Sequence, residues 1–176
     1  GYRFTIVRGG APAAEVNLKV PGRHNVLNAL AALIAAQHQG VDLTEAAAAL
    51  AQFEGTGRRF EVRGEIDGVT VVDDYAHHPT AIRTTLEAVR SQSPDHAIWA
   101  VWQPHTFSRT RALFDAYAQA FADADHVLVT EIYAAREQPV AGVSGAIMAA
   151  AIQHPDARHA ATHADAVDLL AREVHG

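Results

Sequence analysis

Cysteine is absent from this chain, which excludes disulfide staples and thiolate chemistry and fits a reducing compartment. Lysine is nearly absent too. Lys19 is the only one, so a mechanism that needs a Schiff-base or phosphate-binding lysine must find it elsewhere. No apolar run approaches the length of a membrane span, and no charged-then-apolar leader opens the chain. Net charge is −6 with no basic block, which argues against nucleic acid as a partner. Three common chemical signatures are also missing: the G-x-x-x-x-G-K-[ST] phosphate loop, the G-x-G-x-x-G dinucleotide turn and the G-x-S-x-G nucleophile elbow.

What remains is a chain with material for a core. Hydrophobic residues make up 49% of 176, enough for one domain of ordinary size, or one domain plus part of another. The most informative stretch is Val71-Val72-Asp73-Asp74-Tyr75-Ala76-His77-His78-Pro79. Its polar residues follow an apolar, β-branched run, Val69 to Val72, that reads as a buried strand. Pro79 suits the first turn of a helix, where its missing N–H is no loss, and Ile82, Leu86 and Val89 then share one helical face. Strand, short polar loop and helix place functional groups at the carboxyl end of a strand, where open α/β sheets bind ligands.

Before that stretch, Phe4 to Val7 and Val16 to Val20 read as two short strands, with Gly9, Gly10 and Pro12 marking the turn and Lys19 inside the second strand. A helix rich in alanine and leucine follows, stopped by Gly40. A second runs from Thr44 to Phe53, with Asp42 as N-cap. Residues 1–57 make a thin domain, expected to be the end of a larger one. Gly55-Thr56-Gly57 marks the boundary.

Beyond it, Asp67-Gly68 is a two-residue hairpin signal between strands 60–66 and 69–73. Helix 80–90, strand 98–102, a helix from Arg109 to Ala122 with Leu113, Phe114, Tyr117 and Phe121 as its apolar face, strand 126–132, a helix at 144–153, a weak strand near 158–161 and a helix at 163–174 complete the pattern. Strands alternating with helices predict an α/β fold with a doubly wound, mainly parallel sheet. The chain ends directly after a helix, where one more strand is expected, so residues 58–176 read as a domain truncated at its end.

Three strand-end loops, 73–79, 103–108 and 133–143, then share the carboxyl edge of the sheet. They carry Asp73, Asp74, Tyr75, His77, His78, His105, Ser108, Arg109, Arg111 and Arg136. Arginines there suit carboxylates or phosphates, because guanidinium donates a planar fork. A metal site built from Asp73, Asp74, His77, His78 and His105 is the rival reading. However, the spacing matches no closed ligand template, and adjacent Asp-Asp and His-His pairs cannot all aim inward from an extended segment. His96, His126, His154, His159, His163 and His175 are read as surface residues or caps.

Taken together, the motifs resemble a known family. Gly22-x-His24-Asn25-x-x-Asn28-x-x-Ala31-Ala32, Gly57-Arg58-Arg59-Phe60-Glu61 and Asp74-Tyr75-Ala76-His77-x-Pro79 are similar to those of the Mur ligases, the ATP-dependent amide ligases of bacterial peptidoglycan precursor synthesis. Within the family, Asp73 to Pro79 and Gln103 to Thr110 are most similar to the branch that joins L-alanine to UDP-N-acetylmuramate. The likeness runs from about residue 18 to residue 145. It implies three domains in the whole enzyme, with residues 1–57 the end of the central ATP-binding domain and 58–176 most of a Rossmann-like C-terminal domain.

The resemblance implies ATP and Mg²⁺ as cofactors, UDP-N-acetylmuramate and L-alanine as substrates, and a bacterial cytoplasmic location. By motif, His24, Asn28, Arg59, Asp73 and Asp74 would contact ATP, while Tyr75, His77, His105 and Arg109 would bind the amino acid. No catalytic residue and no metal ligand is expected within this chain. Thr106 stands where many family members carry arginine, with Arg111 a possible replacement. The family's phosphate-loop lysine and magnesium ligands would precede Gly1, so the chain alone is expected to be inactive. Three other readings remain open: a recycling ligase that adds a preformed peptide to the same sugar, a non-catalytic nucleotide-binding module, and a metal-dependent hydrolase.

Overall fold

The computed structural model describes all residues from 1 to 176, in two compact units, Gly1–Glu61 and Val62–Gly176. The first unit opens with an antiparallel hairpin, β1 (Tyr2–Arg8) and β2 (Ala11–Leu18), turning at Gly9 and Gly10. Pro12 lies in β2 opposite Val7, beside an irregularity in the register, and not in the turn. Lys19 stands just past β2 and pairs with Glu54 at 2.9 Å. Helices α1 (Arg23–His38) and α2 (Leu43–Leu50) follow. The carboxylate of Asp42 caps α2 by accepting from the Thr44 and Glu45 amides. Val16, Leu33, Leu43, Ala46 and Ala47 form the small core between hairpin and helices.

The second unit begins with a hairpin of β3 (Glu61–Ile66) and β4 (Val69–Asp73). Asp67 and Gly68 turn it with φ of 49° and 80°. Two consecutive left-handed residues are what a type I′ turn requires. Helix α3 (Pro79–Gln92) leads to a parallel three-stranded sheet in the order β5 (Trp99–Trp102), β6 (His126–Thr130), β7 (Ala157–Ala160). Central β6 is apolar on both faces, and Val127, Leu128 and Val129 are buried. Val127 and Val129 face the main core of Ile82, Trp102, Tyr117, Phe121 and Met148, drawn from α3, β5 and the helical segments that follow β5 and β6. Leu128 faces the other way, onto Ala160 of β7 and Ala166 of α7 (His163–Glu173). Helices on both faces of a parallel sheet make this unit an α/β domain.

The single helix expected after β5 is two. These are α4 (Phe107–Ala112) and α5 (Phe114–Ala118), kinked at Leu113, whose φ is −114°. Phe107 joins a cluster with Ile132 and Val143, whereas Tyr117 and Phe121 enter the main core. Helix α6 (Gly145–Ala151) starts against the end of β6, and α7 starts with a capping box of Thr162 and Asp165.

Candidate functional site

The site residues of the first unit sit at the start of α1 and beside its end. Gly22 precedes α1 with a φ of 92°, and a Cβ there would lie 2.4 Å from the His24 ring. Glycine therefore does two things at once: it adopts a backbone angle that side chains avoid, and it leaves space for the imidazole. The Asn25 amide donates to the Pro21 carbonyl at 2.6 Å, and Asn28 donates to Asn25 Oδ1 at 3.1 Å. Asn28 itself is exposed one turn into the helix. Arg59 lies on the exposed turn at 56–59, flanked by Arg58 and Phe60 with φ of 59° and 50°. Left-handed non-glycine backbone of this kind costs of order 1–3 kcal/mol per residue and is kept where surroundings fix it.

In the second unit two of the three strand-end loops, those after β5 and β6, are built on one another, whereas the loop expected to share their sheet edge follows β4, a strand of the separate β3–β4 hairpin. The loops after β5 and β6 continue the parallel pairing past the sheet. Tyr133 N donates to the Pro104 carbonyl at 2.8 Å, and His105 bridges to Tyr133. The rings of these two residues stack, with centroids 5.3 Å apart. Gln103 reaches across to the Glu131 carbonyl at 3.2 Å. Glu137 then clips the later loop onto the start of α4, accepting from both the amide and the hydroxyl of Ser108. Those two hydrogen bonds hold the Glu137 carboxyl below its ordinary pKa. His105, Thr106, Tyr133, Ala135, Arg136 and Glu137 line a small open cavity of about 630 Å³ between the loops.

The loop after β4 is fixed differently. Asp74 Oδ1 accepts from the Ala76 amide at 2.7 Å, closing an Asx turn. His77 Nδ1 lies 3.0 Å from the Tyr75 carbonyl, and the two rings meet edge to face at 5.0 Å. That contact makes Nδ1 the protonated nitrogen and leaves Nε2 as the acceptor of the neutral ring. His78 caps α3 by accepting from the Thr80 amide at 3.3 Å. Beneath the loop, the buried Tyr117 hydroxyl donates to the His77 carbonyl at 2.6 Å. Burial raises the Tyr117 pKa, and the nearby Arg109 charge works against that rise.

Arg109 therefore lies close to Tyr117, and it donates to His105 Nδ1 at 3.4 Å. It is half-buried, and no carboxylate lies within ion-pair range of it. A guanidinium with one long, neutral hydrogen bond has most of its fork unused. Tyr75, His77, His105 and Arg109 are thus gathered at one edge of the second unit, with Tyr117 as the piece that joins them.

Sequence reasoning assigned Tyr117 only to an apolar helix face, and it missed Glu137 as a clip. Nothing in the local pattern signals a bond from Ser108 to a residue 29 positions away. It also took too plain a view of three histidines. Half-buried His126 pairs with Asp156 at 2.5 Å and stacks on Trp99, His159 pairs with Glu131 at 2.8 Å, and His154 bridges the Ala124 carbonyl and the Asp156 amide. No three histidines, aspartates or glutamates are close enough together to hold a metal ion.

Comparisons with known proteins bear on the family and the fold. The family model described as Mur ligase, glutamate ligase domain, matches residues 58–175. A UDP-N-acetylmuramate–L-alanine ligase of Nitratidesulfovibrio vulgaris (strain DP4) is 51% identical over 150 residues, 85% of this chain and 33% of that protein. One from Roseiflexus castenholzii is 48% identical over 139 residues, 79% of this chain and 29% of that protein. Among solved structures, the UDP-N-acetylmuramate-alanine ligase of Thermotoga maritima aligns with a TM-score of 0.73 at 29% identity, covering 96% of this chain and 35% of that one. A murein peptide ligase from Psychrobacter arcticus 273-4 aligns with a TM-score of 0.67 at 33% identity, covering 92% and 34%. The chain spans about a third of the length of the curated relatives it matches. With its match over residues 58–175 and a fold shared with these ligases, the chain belongs to the Mur ligase family.

Proposed function

We propose that this chain is the nucleotide-hinge and amino-acid-binding portion of an ATP-dependent ligase that joins L-alanine to UDP-N-acetylmuramate in peptidoglycan precursor synthesis, working in the bacterial cytoplasm. Residues 1–57 are the end of the central ATP-binding domain and 58–176 most of the C-terminal domain; the missing N-terminal and central domains are its obligatory partners. The observation that carries the reading is Arg109, a half-buried guanidinium without a carboxylate partner where three strand-end loops converge. Such a group invites the carboxylate of a free amino acid as its bidentate partner.

The reaction that follows is an acyl transfer driven by phosphoryl transfer. A carboxylate oxygen of the muramate attacks the γ-phosphorus of ATP, ADP departs, and an acyl phosphate forms. The alanine nitrogen, having lost a proton, attacks that carbonyl carbon, and phosphate leaves as the amide bond forms. Arg109 holds the alanine carboxylate, with His105 fixing the guanidinium from behind. Tyr75 and His77 form the other wall, the latter with its Nε2 lone pair available to the ammonium proton. His24 and Asn28 hold the adenine, Arg59 meets the phosphates, and Asp73 and Asp74 serve the ribose or the hinge. When bound, Mg²⁺ offsets phosphate charge, and its ligands belong to chain outside these residues.

The second reading is a ligase that adds a preformed peptide to the same sugar, favoured by the likeness to the murein peptide ligase. Phosphate release by the full-length parent, with UDP-N-acetylmuramate and ATP present, separates the two. Release that depends on L-alanine supports the first reading, and release that depends on a peptide instead replaces it with the second. Release with neither acceptor leaves only nucleotide binding for this chain.

A further inference from the structure

The open cavity between the loops after β5 and β6 carries a cation that the reaction described above does not use. Its wall holds one arginine, Arg136, and one acid, Glu137, beside His105 and Tyr133. These opposite charges are neighbours in sequence, yet they do not pair. Glu137 is turned onto the start of α4, where it accepts from the amide and the hydroxyl of Ser108, with the Thr106 hydroxyl and the Phe107 amide adding to the hold. The Arg136 guanidinium makes no ion pair and no hydrogen bond. An exposed arginine is ordinarily just solvated, so what matters is how this one is held and what surrounds it.

The backbone fixes its position. Glu137 N donates to the Ala134 carbonyl at 2.9 Å, closing a turn with Ala135 and Arg136 at its centre. Ala135 has a φ of 52°, at a position where such turns favour glycine. An alanine kept there is held by its surroundings, and the Glu137 clip just beyond it locks the turn that presents Arg136. His105 supplies a second donor. A guanidinium can only donate, so the contact from Arg109 at 3.4 Å makes His105 Nδ1 the acceptor and leaves the proton of the neutral ring on Nε2. The cavity therefore offers an unpaired guanidinium and an imidazole N–H, while its one carboxylate is already engaged by donors. Such a set suits an anion. A singly charged, planar carboxylate matches one guanidinium fork, whereas a phosphate dianion would meet the Glu137 charge with a single cation to offset it. Arg111 sits on the exposed side of α4 and does not line this cavity.

We propose that Arg136 is a second carboxylate-binding residue of the acceptor pocket, so that the amino-acid carboxylate receives one guanidinium from the loop after β5 and one from the loop after β6. His105, which touches Arg109 and lines the cavity, is the residue common to both. The inference rests on the reading of this edge as the amino-acid pocket. It makes Arg136 a determinant of acceptor choice: an acceptor whose carboxylate is masked leaves two cations without a partner and is rejected for that reason.

The test compares L-alanine with L-alaninamide, which lacks the carboxylate, on the full-length parent, with phosphate release in the presence of UDP-N-acetylmuramate and ATP as the readout. Arg136→Ala is expected to raise the KM for L-alanine by about 3- to 10-fold, less than Arg109→Ala does, because Arg136 is exposed. The apparent affinity for L-alaninamide, read as acceptor or as competitor, and the KM for ATP should stay within about twofold. Arg136→Lys should recover only part of the loss, since an ammonium keeps the charge without the fork. An equal loss for L-alanine and L-alaninamide marks a purely structural role and overturns the proposal. So does a rise in KM with Arg111→Ala in place of Arg136→Ala. Relief of inhibition by inorganic phosphate in Arg136→Ala, with the KM for L-alanine unchanged, assigns the cavity to a phosphoryl group and overturns it too. If Arg109→Ala weakens L-alanine and Arg136→Ala does not, this inference alone falls; if the parent shows no alanine-dependent release, the functional reading falls with it.

Discussion

Gly145→Ala is predicted to destabilise the second unit even though alanine is the better helix former. Gly145 is the first residue of α6, and a Cβ there would lie 2.4 Å from the Thr130 carbonyl oxygen, 3.0 Å from its carbon and 3.1 Å from Glu131 Cα. All three are backbone atoms at or just past the end of β6, whose last four residues are buried, so no side chain can rotate away. The oxygen is about 1 Å closer than ordinary contact allows. The gain from alanine is at most about 1 kcal/mol, and less in a first turn. Overpacking against an unyielding neighbour costs about 1–3 kcal/mol. The steric term wins, for a net loss of about 1–2 kcal/mol, or roughly a 5- to 30-fold fall in the folding constant. Moving α6 also drags the loop that carries Tyr133 and Glu137. Urea unfolding followed by tryptophan fluorescence reads this unit alone, because Trp99 and Trp102 are the only tryptophans and both belong to it. Gly64→Ala is the control, since a Cβ there meets nothing within 4 Å. A Gly145→Ala chain as stable as the parent would refute the reasoning.

Three further outcomes are expected. Tyr117→Phe deletes the buried hydroxyl that holds the His77 carbonyl at 2.6 Å and should cost about 1–3 kcal/mol in the same urea experiment. In the full-length parent it should raise the KM for the amino acid more than that for ATP. Arg90 ties the end of α3 to the Pro94, His96 and Asp123 carbonyls and to Asp125. Arg90→Ala should therefore lower stability by about 2 kcal/mol, read as an earlier urea midpoint. The Asp156 carboxyl is held below its ordinary 3.8 by its hydrogen bond to His126, with Arg158 adding to the effect. A depressed carboxylate contributes stability above its unfolded pKa and loses it as pH falls through the folded value. Stability should thus fall below about pH 4, and Asp156→Asn should flatten that limb in thermal melts across pH.

The parts of the fold that were legible in the sequence are those set by local chemistry. Asp67-Gly68 specified its turn through two left-handed residues, Asp42 specified a cap, and Val69 to Pro79 specified strand, loop and helix, although the strand expected to be buried is half-exposed, with Thr70 and Val71 facing solvent beside a hairpin that pairs on one side only. Each signal acts over a few residues, where backbone sterics and one hydrogen bond decide the outcome. The break at Leu113 was not legible, because the residues on either side of it keep one apolar helical periodicity while packing into two separate clusters. Neither were the His126–Asp156 pair and the Glu137 clip, which join residues about thirty apart only after the sheet has formed. The same division holds at the candidate site. Arg109, His105, Tyr75 and His77 were visible as strand-end residues, but Tyr117, which links them, looked like ordinary core.

The most direct test of the account is the amino-acid dependence of full-length Arg109→Ala, measured as phosphate release with UDP-N-acetylmuramate and ATP. An unpaired guanidinium that receives the substrate carboxylate stabilises it by about 1.5–3 kcal/mol. The account therefore predicts that the KM for L-alanine rises by roughly 10- to 100-fold while the KM for ATP stays within about twofold. An unchanged KM for L-alanine, or an equal rise in both, would contradict the assignment of this edge to the amino acid.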